Sequence, residues 1–454
     1  MIDALLLDRT PRQTRIALMS GPRAVEVLDE RPSDELREGD IVLGRVAAAA
    51  QGIDGSFVEL GRGRPGLLRG GHLAEGANVL VQVAAAARDG KGPRLTRRVV
   101  LAGRTATLEP GGAGWTVSRR IDDEREQDRL EGLAERLGIQ GLTLRTAAAG
   151  TADEAIAAEA RRLAVEAETL IREAGTGPAP RLLRRAPPAL LATLRNHVGI
   201  ARIVASSGDL LAWGRGLIDE EPWASEIVWG VAPEGPGLFE AAGIEAAIER
   251  GLASRVAIAG GAELAFTSGP ALTAIDVDSA RARRSPLACD LAAARAIPEE
   301  IRLRGIAGLI VVDFIGLADD REDRRVMREL RDGLRADRRV TACHGLSPLG
   351  LAEIARRHGP ALIAAMREPN PSGDGGWRLT APAIADGVAG WIAREAARRP
   401  GAMAITCAAD VAEALADPSL GGLEALAAQA GGPLSISVDG TVPRDHPRLS
   451  RREP

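Results

Sequence analysis

The sequence predicts a multidomain α/β protein, and three observations carry that expectation. Its 454 residues exceed one ordinary domain. Residues 40–103 break into short strands punctuated by glycine, the pattern of a small barrel. Residues 252–365 alternate strand-like and helix-like stretches, which makes an α/β layer.

Taken in order, "ALLLD", "TRIALMS" and "AVEVLDE" read as three strands with turns at Pro11 and Gly21-Pro22. "DIVLGRV", "GSFVELG", "GLLRG" and "NVLVQVA" continue as closely spaced strands, for which an OB-fold is the natural candidate. Strands near Trp115–Ile121 and Leu142–Thr146 flank a helical stretch, "EREQDRLEGLAERLGI". A second helix spans Asp153 to Ala174, with Ile156, Leu163, Ala167, Leu170 and Ile171 along one face. "GTGPAP" is a linker by composition. Mixed patterns run to residue 250; "ELAFTS" and "ALTAIDVD" then read as strands, followed by a helix near 290–303. "GLIVVDF" reads as a strand, with a helix near 321–336 and another helix after Pro348. "REPNPSGDGGWR" is a second junction, before a small, mostly helical tail ending in a disordered basic segment, "RDHPRLSRREP".

Hydrophobic content of 45% and charged content of 26% are ordinary for a globular chain. No stretch offers the roughly 18–20 uncharged apolar residues of a membrane span, and "MIDALLLDRT" lacks a secretory signal. Cys289, Cys343 and Cys407 form no CxxC pair, which predicts a cytoplasmic setting with neither disulfide framework nor cysteine-based zinc site. A net charge of −4 does not announce a polyanion binder, but patches decide that, not totals. Arginine dominates the basic residues and tyrosine is absent. The histidines show no paired metal-ligand spacing, and no P-loop or dinucleotide glycine pattern is present.

The chemistry concentrates in two acid-tipped runs. In "GLIVVDFIGLADD" four apolar residues, Leu309 to Val312, lead into Asp313; such a run reads as a strand buried on both faces. A buried lone carboxylate is costly, so it needs a cation, a partner or an exposed strand tip. "ALTAIDVDSARARR" carries Asp276 and Asp278, two apart and therefore on one face of a strand. If the two strands are neighbours, three carboxylates meet, and a hard divalent cation such as magnesium relieves their repulsion. Such an ion supports phosphodiester hydrolysis, with Arg281, Arg283 and Arg284 placed to clamp phosphate. Turn and cap roles for the same aspartates remain an equal alternative at this point.

These two runs, with "HGLSPLGLAEIARR", resemble the catalytic core of the ribonuclease E/G family, nearer to ribonuclease G. "TRIALMSGPRAVEVLDER" resembles the family's opening strands, and "DIVLGRV…GSFVELGRGRPGLLRG" its OB-fold RNA-binding module. "TVSRRID" and "LRTAAAG" resemble its 5′-monophosphate pocket, so the likeness runs in order over residues 1–365. It implies an RNase-H-like subdomain (1–38 and 181–251) interrupted by the OB-fold (39–103) and a 5′-sensor domain (104–180). A DNase-I-like catalytic subdomain (252–366) and a small helical C-terminal region (367–454) complete it.

The activity implied is magnesium-dependent cleavage of single-stranded RNA to 5′-phosphate and 3′-hydroxyl ends, in rRNA and mRNA processing and decay. Manganese is the alternative metal. Asp276 and Asp313 would hold the metal, and Asp278 stands where the family carries an asparagine that orients the first aspartate. Val117, Arg145 and Thr146 match the residues that sense a 5′-monophosphate, with Thr116 in place of a glycine. Phe57 matches a base-stacking aromatic, Leu67 replaces a second one, and Lys91 lies in a basic backbone-contacting segment. For Phe57 the competing reading is barrel core; for Lys91, a solvated turn.

Two further departures stand out. "RARRSPLACDL" is shorter than the family's usual segment beside the metal. The family's zinc-sharing cysteine motif is replaced by "NPSGDGG", so no zinc is expected, and a homodimer or homotetramer would rest on protein contacts. The second function class is therefore a catalytically impaired RNA-binding protein that keeps the scaffold.

Overall fold

In the computed structural model, residues 2–31, 35–50, 52–87, 90–233, 237–269, 271–279, 285–316, 319–371, 377–418 and 421–451 are described. The chain divides into two compact units, one of residues 1–33, 199–219 and 225–454, the other of 34–198 and 220–224.

In the first unit the strands Ala4–Thr10, Gln13–Ser20 and Arg23–Glu30 form an antiparallel meander. Arg202–Ala205 pairs parallel with Ala4–Thr10, and Val228–Val231 adds outside it, giving five strands. The apolar alternation of these segments is what closes the layer: Leu5, Leu7, Ile16 and Ala17 are wholly buried.

A six-stranded sheet follows, in the order Arg255–Ala257, Glu263–Ser268, Leu272–Asp278, Gly308–Asp313, Leu351–Arg356, Val340–Cys343. Leu272–Asp278 and Gly308–Asp313 run parallel, joined through the helix Pro286–Leu303. That helix starts cleanly because Ser285 accepts a hydrogen bond from the Ala288 amide and Pro286 occupies the first turn. With the helix Asp320–Leu334 it covers one face of the sheet, where Ile275, Val277, Ile310, Val312 and Ile354 pack against Ile297, Ile301, Val326 and Leu330.

Four expectations are corrected here. The Gly308–Asp313 strand is buried on one face only: Ile310 and Val312 are fully buried, but Leu309 is 44% exposed and Asp313 is exposed. The stretch just past Pro348 is not helical; residues Leu351–Arg356 form a strand between Gly308–Asp313 and Val340–Cys343, and the next helix is the short Leu362–Ala365. Its period-two burial, ending in a buried Arg356 that donates to Asp337 at 2.7 Å and to the Ile306 carbonyl at 2.8 Å, suits a strand. The C-terminal region is not mostly helical. The strands Met403–Cys407, Leu434–Val438 and Arg448–Arg451 make a three-stranded sheet packed with the helices Ala381–Arg398, Ala409–Ala416 and Gly422–Ala430. Arg448–Arg451, read as disordered, pairs with Met403–Thr406, because backbone pairing stabilises a segment whose composition alone looks solvated.

In the second unit five strands close into an OB-like barrel: Ile41–Ala49, Gly55–Glu59, Gly66–Arg69, Arg94–Thr96 and Asn78–Ala85, with the last pairing back onto the first. Val42, Val58, Leu60, Leu68 and Val81 fill it. Arg181–Arg184 extends the sheet beside Ile41–Leu43. A separate four-stranded sheet, in the order Trp115–Val117, Leu142–Leu144, Ala106–Leu108, Leu101–Ala102, packs with the helices Glu124–Leu137 and Asp153–Ala174. The first helix is capped by Asp123, which accepts from the Arg125 amide, and ends at the left-handed Gly138. The second buries Ile156, Leu163, Ala167 and Leu170, whereas Ile171 turns outward and is 50% exposed.

Candidate active site and RNA-binding surfaces

Asp276 and Asp313 are register partners in the two parallel strands. Neighbouring strands lie about 4.8 Å apart, and paired residues present their side chains on the same face. That face is the one the helices leave open, so both carboxylates are exposed at strand tips, as is Asp278 two residues on. The cost of a buried charge therefore never arises for Asp313. The strand is apolar because its other face builds the core.

Asp278 has Glu263 as its antiparallel partner, which places a fourth carboxylate on the open face. Arg255, on the next strand, donates to Glu263 at 2.6 Å. The hydrogen bond and charge of Glu263, and then the charges of Asp278 and Asp276, raise the Arg255 guanidinium above its usual range. Sequence reasoning missed both residues. Glu263 was legible as the outward position of "ELAFTS", whereas Arg255 needed the sheet order.

A metal fits this donor set in a specific sense. Among the described residues no group of three or more His, Cys, Asp or Glu side chains is gathered closely enough to hold an ion. The expected three-acid cage is thus not brought together. What remains is two hard carboxylates, Asp276 and Asp313, side by side on an open surface. That suits magnesium, which keeps most of its waters and takes one or two protein carboxylates. Arg281, Arg283 and Arg284 lie outside the described residues, as do residues 372–376 of the segment that replaces the cysteine motif.

In the second unit Val117 pairs with Leu144, immediately before Arg145 and Thr146. The Thr146 and Ser118 hydroxyls lie 3.0 Å apart, and the Ser118 amide donates to Leu144 at 2.9 Å. Ser118 thus joins the three expected residues. Arg145 is half-buried and turned inward: its guanidinium donates to the carbonyls of Gly103 and Arg195 (3.2 Å for the latter) and to the Asn196 side chain at 2.6 Å. Its backbone amide donates to the Thr105 carbonyl at 2.7 Å. Glu159 anchors that segment, accepting from the backbone amides of Arg104, Thr105 and Ala106. Through these contacts to Gly103, Arg195 and Asn196 the guanidinium fork braces the fold.

On the barrel, Phe57 is 39% exposed, which settles it as an outward residue and not barrel core. Leu67 is its cross-strand partner, and Arg94 partners Leu67 in turn, so aromatic, apolar and cationic side chains form one row across three strands. Arg94 was missed because the parallel pairing that brings it there is non-local. Lys91, the only lysine of the chain, is exposed and lines a cleft of about 700 Å³ with Arg62, Arg64 and Glu35. Among the described residues the cleft carries three cations and one carboxylate, a better description than a solvated turn.

The ribonuclease E/G family model matches residues 100–359. Ribonuclease E of Nostoc sp. is 34% identical over 355 residues, which is 70% of this chain and 51% of that protein. Ribonuclease E of Escherichia coli K12 is 30% identical over 79% of this chain and 37% of its own length. Ribonuclease G of Haemophilus influenzae is 27% identical over 78% of this chain and 79% of its own. The chain therefore spans about half the length of the Nostoc relative, and most of the ribonuclease G. The matched region runs from the strands around Arg145 to the sheet that carries Asp276 and Asp313, and on both grounds the chain belongs to the ribonuclease E/G family.

Proposed function

We propose that the protein is a magnesium-dependent endoribonuclease that cuts single-stranded RNA to 5′-phosphate and 3′-hydroxyl ends, acting in RNA processing and decay. The observation that carries this reading is the register pairing of Asp276 with Asp313 on an open sheet face. These two would hold the ion; when bound, it supplies an activated water and charge neutralisation at the scissile phosphate. Asp278, held opposite Glu263 beside Arg255, tunes the potential of that face. Phe57 stacks a base, worth about 1–3 kcal/mol, while Arg94, Lys91 and the cleft arginines take backbone phosphates. The Thr146 and Ser118 hydroxyls, with the Val117 backbone and the positive charge of Arg145, favour a 5′-monophosphate terminus.

A second reading, an RNA-binding protein that no longer cuts efficiently, is favoured by the absence of a three-ligand group among the described residues. One experiment separates the two. A short single-stranded RNA, with 5′-monophosphate or 5′-hydroxyl, is incubated with magnesium or chelator beside an Asp313→Asn variant. Magnesium-dependent cutting that the variant loses, faster on the monophosphate, supports the enzyme. Binding without cutting supports the second reading.

A further inference from the structure

Asp290 lies in the helix Pro286–Leu303 and is 1% exposed, yet it is a carboxyl surrounded by the apolar core of the catalytic sheet. Its Oδ1 accepts a hydrogen bond from the Ile315 amide at 3.1 Å, and the Gly316 amide adds a weaker pull on the same carboxyl. Its Oδ2 is buried with no hydrogen-bond partner among the described residues. Ile315 and Gly316 are the second and third residues beyond Asp313, where the chain leaves the sheet and turns at a left-handed Gly316 (φ 87°). On either side of Asp313, Val312 is fully buried and Phe314 is 7% exposed, so both neighbours plug the core.

A partly satisfied buried carboxyl is a poor way to stabilise a core; an apolar residue of the same size serves stability as well or better. What it supplies instead is a fixed acceptor for the Ile315 amide, which sets where the strand ends. From this geometry we infer that Asp290 is a positioning residue for Asp313: by holding the Ile315–Gly316 turn, it fixes the Asp313 carboxylate in register with Asp276. The inference rests on the metal reading proposed above. It adds a residue on a different element, which touches neither the ion nor the RNA.

The test uses the full chain and Mn²⁺ as the probe ion, titrated by electron paramagnetic resonance. RNA affinity is followed by anisotropy, and the melting temperature of each variant is recorded. Asp290→Leu keeps the branched shape, though with more bulk, and removes the acceptor; it weakens Mn²⁺ binding by about tenfold or more, the usual effect of losing a residue that orients a metal ligand. RNA affinity stays within about twofold, because the barrel surface is untouched. Asp290→Asn keeps an acceptor at the same place and holds Mn²⁺ affinity within about twofold. Should Asp290→Leu fail to fold, Asp290→Asn decides: an asparagine variant that folds but loses Mn²⁺ as fully as Asp313→Asn overturns the inference. Asp290→Leu that folds and binds Mn²⁺ like the wild type also overturns it, and leaves the metal reading standing. Wild-type protein that binds no Mn²⁺ removes the metal reading and this inference together.

Discussion

Arg255 donates to Glu263 at 2.6 Å on the open sheet face, within the field of Asp276 and Asp278. A fixed cation there offsets part of the repulsion among the carboxylates and competes with a metal for their field. Arg255→Gln should therefore tighten Mn²⁺ binding by about two- to fivefold at low salt, with the gain fading towards 1 M salt as screening takes over. Mn²⁺ titration at two ionic strengths checks this; weaker binding in the variant would show that Arg255 supports the site.

The row of Phe57, Leu67 and Arg94 predicts a pair of opposite effects. Phe57→Ala should weaken single-stranded RNA by about 1–3 kcal/mol, with little change in melting temperature because the ring is outward. Leu67→Phe, on the adjoining strand, should strengthen binding by restoring a second stacking surface. Anisotropy on a short RNA reads both. Equal affinity in all three proteins would place the RNA elsewhere.

Arg145 braces the segment around Gly103 and Asn196 as well as supplying charge. Arg145→Ala leaves half-buried carbonyls without a donor, so it should lower stability by about 1–3 kcal/mol as well as abolish any preference for a 5′-monophosphate. Thr146→Val, at an exposed hydroxyl, should reduce the preference and leave stability within about 0.5 kcal/mol. Chemical denaturation paired with cleavage of the two RNA ends separates the roles. An Arg145→Ala protein as stable as wild type would mean the arginine is free to serve the phosphate alone.

Burial pushes the Asp290 carboxyl up from its ordinary 3.8 to about 6; the amides of Ile315 and Gly316 pull the other way, and Asp323 adds to the rise. A carboxyl raised in the folded state holds its proton more tightly there than in the unfolded chain. Its contribution to stability is therefore present below about pH 4 and is lost as pH rises through about 6. Asp290→Asn, which cannot ionise, should be more stable than wild type at pH 8, by up to about 3 kcal/mol, with the difference vanishing near pH 4. Urea melts at both values check it, and an equal gain at both would point to packing instead of charge.

Local chemistry was legible in the sequence. The alternation in the first three strands, the glycine-punctuated barrel and the apolar stripe of the Asp153–Ala174 helix each express a preference that neighbours within a few residues satisfy. The acid tips at Asp276 and Asp313 were visible for the same reason, as carboxylates closing apolar runs. Segments whose fate depends on distant partners were read less well. Leu351–Arg356 is short and apolar enough to suit helix or strand, and becomes a strand because edges of Gly308–Asp313 and Val340–Cys343 stand free to pair with it. Arg448–Arg451 looks solvated until Met403–Cys407 offers it a ladder.

The site divides along the same line. Sequence by itself determined which side chains have the chemistry to bind a hard cation, a base or a phosphate. Only the tertiary structure decided that Asp276 faces Asp313, that Arg255 and Glu263 share their face, that Arg145 turns inward and that Asp290 grips the turn beyond the strand. Backbone pairing between strands and burial of a carboxyl are properties of contacts far apart in the chain, and no local pattern of residues encodes them.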